Sequence, residues 1–95
     1  KKPAPDIYHY ALQQLQLAPD ACVAVEDSAN GLRSALGAGI STLITETEYT
    51  REDDFSGAKL VVTQLGEPSD PFQVIAGEVP TTSHVTVELL QQLCR

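Results

Sequence analysis

The run Ala21-Cys22-Val23-Ala24-Val25, cut off by Glu26-Asp27-Ser28, constrains the fold more than any other stretch. Five apolar residues without polar alternation describe a strand covered on both faces, the habit of parallel sheets flanked by helices. Two acids and a serine immediately after it describe a strand end passing into a helix, because Ser is a favoured N-cap.

The flanking pattern agrees. Residues 6–16 set Ile7, Ala11, Leu12 and Leu15 at helical spacing. Pro5 suits the first helical position, where a missing N–H costs nothing. The Leu17-Ala18-Pro19-Asp20 stretch ends that helix. A second helix begins after Ser28, carries Leu32, Ala35 and Leu36 on one stripe, and stops at Gly37 and Gly39. Residues 40–44 and 59–63 read as two more strands, separated by an acidic linker over 45–58. Pro68, Pro71 and Pro80 mark an irregular tail, and residues 85–94 close the chain as a helix with Leu89, Leu90 and Leu93 inward and Thr86 as its cap. Strands joined by long crossovers imply an α/β fold built on a parallel sheet.

Composition narrows the partners. The chain has 95 residues, the size of one small domain, with 42% hydrophobic and 20% charged residues. Six basic against thirteen acidic residues leave a formal charge of −7, which opposes nucleic acid or an anionic membrane as the main partner. No apolar run is long enough to span a bilayer, and no secretory leader is visible. Cys22 and Cys94 lie in no metal-binding or redox pattern, so they are expected as reduced, buried thiols in a cytosolic or plastid stromal compartment. The chain begins Lys1-Lys2-Pro3 and has no Met, which leads us to expect a piece of a longer protein.

Two places could carry chemistry. At the first, Glu26 and Asp27 leave the carboxyl end of a strand, where open α/β sheets bind ligands. Oxygen donors there suit a hard cation such as Mg²⁺, which keeps several waters. Ser28, Asn30 and Gly31 support the turn, with the helix N–H groups behind them. By pattern alone, an acidic helix start placed for the dipole fits equally. At the second, Lys2 precedes Pro3-Ala4-Pro5-Asp6, a stiff lead-in that can aim an ammonium at an anion; a solvated lysine near a chain end fits the same residues. His9, His84 and the acidic linker carry weaker signals. Neither histidine has a placed partner in sequence, and the linker lacks the spacing and turn glycine of an EF-hand loop.

Taken together, Lys-Pro-Ala-Pro-Asp, a helix, an apolar strand ending in Glu-Asp-Ser-x-x-Gly, and Ala-Gly at the next helix end resemble the haloacid dehalogenase-like hydrolases. The motifs cover about residues 1–44, and the strand order follows as far as Thr63. Residues 49–58 and 71–77 are similar to the CbbY and β-phosphoglucomutase-like branch in particular. The resemblance implies a three-layer Rossmann-like parallel sheet, of which this chain is an incomplete, three-stranded C-terminal half with flanking helices. It implies Mg²⁺-dependent attack of an aspartate on a phosphoryl group, through an aspartyl-phosphate, with a sugar phosphate or sugar bisphosphate as substrate. It implies Asp27 as a metal ligand, Glu26 beside it directly or through water, and Lys2 balancing the charge of nucleophile and phosphate. Such chemistry depends mostly on in-line geometry and charge neutralisation.

The chain departs from that family where the nucleophile should be. It has no Asp-x-Asp-x-Thr, no second-motif Ser or Thr that can be placed, and no helical cap. Residues 1–95 are therefore expected to be the C-terminal part of the core, inactive alone, within a phosphoric monoester hydrolase. A mutase-like phosphoryl transferase and a non-catalytic α/β binding module remain as alternatives. The strand from Cys22 to Val25 would lack its usual neighbour, and self-association through it is expected.

Overall fold

In the computed structural model, residues 4–78 and 80–94 are described. Helix α1 spans Asp6–Leu15, strand β1 Val23–Glu26, helix α2 Ala29–Gly37, β2 Ser41–Thr45, β3 Leu60–Val62, β4 Val74–Gly77 and α3 Val87–Leu93. One sheet holds the strands in the order β1-β2-β3-β4. The first three are parallel, with Val23 opposite Ser41 and Leu43 opposite Leu60. The fourth runs antiparallel to β3, and its register shifts between Val61 and Val62.

Alternation along the strands sorts the core into layers. Leu43, Leu60 and Val62 point to the face covered by α3, where Phe72 and Leu89 complete a cluster. Ala24 meets Ala35, Ala38 and Ile40 on the opposite face, with Tyr8 and Leu12 of α1 against them. Leu32 joins Ile44 and Val61 on that same side, roofed by Phe55 from the acidic linker. The result is helix, sheet, helix: the three-layer Rossmann-like α/β arrangement anticipated above.

Three expectations need correction. The sheet has four strands, because 74–77 pairs with β3 instead of staying irregular. The strand expected at 21–25 starts later, since Pro19–Ala21 form a 3₁₀ turn, and it is not covered on both faces: Val25 is 47% exposed. It is an edge strand among the described residues, so its outer face lacks the cover that an inner parallel strand receives. Helix α1 does form, but Ile7 and Leu15 of its apolar stripe are exposed, and its contact with the core runs through Tyr8 and Leu12.

The ends of α2 and α3 follow their sequence signals, whereas in α1 Pro5 stands at the N-cap and not at the first helical position expected of it. Gln16 closes α1 in the left-handed conformation at φ 56°. Thr86 caps α3, its hydroxyl accepting from the Leu89 N–H at 3.1 Å. Gly77 sits at φ +106° with its Cα against the Lys59 carbonyl, a position closed to any side chain.

Candidate functional site at the end of strand β1

Strand β1 delivers Glu26 and Asp27 to the carboxyl margin of the sheet, and α2 starts two residues later. Alternation sends the two acids different ways. Asp27 is exposed, while Glu26 turns back beneath α2 and is only 9% exposed.

A buried carboxylate needs donors. The Tyr8 hydroxyl of α1 donates to Glu26 Oε2. Burial, that hydrogen bond and the carboxylate charge together hold the Tyr8 phenol well above its ordinary pKa, burial contributing most. Gly31 makes the room: a Cβ there would overlap the Glu26 carboxyl group. The glycine's role at this position is space.

The start of α2 is held from two directions. Ser28 Oγ accepts from the Gly31 N–H at 3.1 Å, the local N-cap. Asp53 Oδ2, from the acidic linker, accepts from the Ala29 N–H at 2.9 Å. Four N–H groups at a helix start lack partners within the helix, and these two side chains satisfy two of them. Asn30 instead faces solvent and accepts from the Arg33 guanidinium. In the same linker, the Ser56 hydroxyl and N–H donate to Asp54 at 2.6 and 2.9 Å and hold its exposed carboxyl below the usual range.

Lys2 lies outside the described residues. Ala4 is held to α2, because the buried Ser34 hydroxyl donates to its carbonyl at 2.7 Å. The structure thus brings together Glu26, Asp27, Ser28 and Gly31, and leaves Asn30 at the rim. Tyr8 and Asp53, which reach this turn from distant segments, carry no local sequence signal for it. The Tyr-to-Glu separation of 18 residues and the Asp-to-Ala separation of 24 are invisible to local pattern. His9 is exposed, and the His84 ring lies 3.4 Å from the Ser83 hydroxyl while the His84 carbonyl accepts from the Thr82 hydroxyl at 3.1 Å.

The donor set fits a partial Mg²⁺ shell. Among the described residues no group of three or more His, Cys, Asp or Glu side chains converges on a point that could hold a metal. Asp27 offers one outward carboxylate, and Glu26, turned inward, could act only after moving or through water. Mg²⁺ is commonly held by one or two carboxylates, with water and substrate oxygens completing its octahedron.

Comparison with known proteins bears on the family and the fold. Residues 1–39 match a family model described as haloacid dehalogenase-like hydrolase. The chain is 45% identical over 89 residues to the plasmid-borne protein CbbY of Cupriavidus necator, covering 94% of this chain and 34% of that protein. A crystal structure of CbbY from Rhodobacter sphaeroides in complex with phosphate superimposes with a TM-score of 0.66 at 47% identity, over 67% of this chain and 28% of that one. A mutant of the same protein, in complex with xylulose-(1,5)bisphosphate, gives a TM-score of 0.66 at 44% identity, over 73% of this chain and 32% of that one. The chain therefore spans about a third of the length of the curated relatives it matches.

Proposed function

We propose, for a chain that belongs to the haloacid dehalogenase-like hydrolases and matches the CbbY branch over part of its length, that these residues supply the metal-holding acids of a phosphatase site. Asp27 holds Mg²⁺ directly. Glu26 acts beside it through water and sets the shape of the turn. Lys2 balances the charge of the phosphoryl group and of an aspartate nucleophile contributed by sequence outside residues 1–95, which acts through an aspartyl-phosphate. When bound, Mg²⁺ neutralises the negative charge gathered there.

The observation that carries this reading is the split orientation of the two acids. One carboxylate is presented to solvent at the carboxyl end of a parallel strand, and its neighbour is buried and hydrogen-bonded. A helix start acidic only for its dipole needs neither the buried tyrosine contact nor the gap at Gly31.

The substrate class we propose is a phosphorylated sugar, with a sugar bisphosphate favoured. Its support is that CbbY of Rhodobacter sphaeroides, similar in sequence and fold, was crystallised with phosphate and with xylulose-(1,5)bisphosphate.

The experiment is Mg²⁺-dependent phosphate release from a generic phosphomonoester and from a pentulose bisphosphate. The 95-residue chain is run beside a longer protein that contains it, with Asp27→Ala in each. Turnover by the longer protein, abolished by Asp27→Ala and absent from the short chain, is expected. Turnover that survives Asp27→Ala overturns the metal assignment. Turnover by the short chain alone means that its own acids supply a nucleophile, with Asp53 and Asp54 the first to test.

A further inference from the structure

We infer that Tyr8 and Asp53 are positioning residues for Asp27, clamping the strand-to-helix turn from two distant segments of the chain. This rests on the metal-holding role proposed above for Asp27.

Asp27 is an exposed side chain on a short connection between β1 and α2. Left to itself, such a side chain samples several rotamers. A metal ligand has to be held to within roughly half an ångström of its productive place, which normally requires surrounding hydrogen bonds. The structure fixes the chain on both sides of Asp27, at Glu26 and at Ala29, and so narrows where its side chain can reach. On the strand side, Glu26 is buried, with the Tyr8 hydroxyl on one carboxylate oxygen and the bare Cα of Gly31 against the group. On the helix side, the Ala29 N–H is bound by Asp53 at 2.9 Å.

Neither contact is a by-product of local folding. Ser28 already supplies the local cap, on the Gly31 N–H. Tyr8 reaches Glu26 from α1, 18 residues earlier, and Asp53 reaches Ala29 from the linker, 24 residues later. The linker is seated independently, through Phe55 and Ala58 packed on the Leu32, Ile44 and Val61 cluster. Asp53 is thus carried on a fixed platform to the turn. The linker's other acids do not explain this contact, since a merely solvated acidic loop has no need of a backbone amide in α2. The bond is an acceptor's task, and a neutral oxygen can perform it.

The test is calorimetric titration with Mg²⁺ alone, in the longer protein that contains this chain. Thermal melting in chelator shows that each variant is folded. Tyr8→Phe and Asp53→Ala are each expected to weaken Mg²⁺ binding about tenfold, the low end of what losing support around a metal ligand costs. Asp53→Asn keeps an oxygen facing Ala29 and is expected to stay within about threefold of the parent, against roughly tenfold for Ala. Mg²⁺ binding within about twofold of the parent in both Tyr8→Phe and Asp53→Ala overturns the proposal. Equal losses in Asp53→Asn and Asp53→Ala also overturn it, because the linker then acts through charge and not through position. A lowered melting temperature with unchanged Mg²⁺ affinity shows structural support only, and counts against it too. Asp27→Asn in the same titration separates the two readings. If it abolishes binding while the other variants bind normally, only the positioning role fails; if it binds normally, the metal assignment fails and takes the positioning role with it.

Discussion

Ser41 and Gly31 show how much single atoms decide here. Ser41 is 2% exposed on β2, and among the described residues its hydroxyl has no hydrogen-bond partner. An unmatched buried hydroxyl costs on the order of 1–3 kcal/mol. Ser41→Ala is therefore expected to leave stability unchanged or raise it by about 1 kcal/mol in urea unfolding. A loss of that size would reveal a partner for the hydroxyl. Gly31 is the reverse case. Alanine normally favours a helix over glycine by about 1 kcal/mol. At Gly31 the added methyl would overlap the Glu26 carboxyl group, and forcing extra volume into a packed place costs about 1–3 kcal/mol. Gly31→Ala should lower the unfolding midpoint and loosen the Tyr8 contact, visible as a change in tyrosine absorbance. A more stable variant with unchanged absorbance would mean that Glu26 does not rest against this glycine.

At the scale of elements, α2 is the piece on which the site depends. It is nine residues long, too short to persist without tertiary support, and its start is the wall of the acidic turn. Ser28→Ala removes the local cap and should cost about 1 kcal/mol. The same change at Thr86, which caps the seven-residue α3, should cost a similar amount in stability, about 1 kcal/mol, without altering Mg²⁺ affinity. That contrast separates a cap beside the acids from a cap remote from them. Both caps could be read from sequence, because a Ser or Thr before an apolar helical stripe carries its own mechanism. The strand at 74–77 could not. Its residues, Val-Ile-Ala-Gly, follow Pro68 and Pro71, and their pairing depends on β3 and on Gly77 passing close to the Lys59 carbonyl. The same limit hid Tyr8 and Asp53. Periodicity finds the face of α1, and composition finds the acidic linker, but contacts across 18 and 24 residues belong to the folded chain. The partial exposure of β1 is hidden from sequence for a related reason. An all-apolar run resembles a strand covered on both faces, and only the sheet order shows that Val25 stands on an edge.

Across the whole molecule, the two margins of the sheet differ. The β4 margin is blunted by a register shift against β3 and by the turned backbone at Gly77, the kinds of feature that discourage pairing with another chain. The β1 margin is regular over its whole length, from Val23 to Glu26, and carries the exposed Val25. A shallow apolar groove between α1 and β1, lined by Leu12, Leu15, Cys22, Val23 and Ile40, continues it. The 10.2 kDa chain expressed alone is therefore expected to self-associate through β1, Val23–Glu26, with Val25→Lys shifting it toward monomer in light scattering. A monodisperse monomer before any substitution would refute this.

The regular margin is also the strand that ends in Glu26 and Asp27. On the metal-holding role proposed for Asp27, a parallel strand arriving beside β1 would lay its own end next to these acids, so that completing the sheet and completing the metal shell would be one event. Pairing displaced by a single residue would turn the newcomer's side chains to the opposite face. Such an assembly could be compact and soluble and still be silent in catalysis, because its acids would never meet. On that proposal, turnover by the assembly would report the register of a strand pairing, a finer measure of correct assembly than solubility or melting temperature.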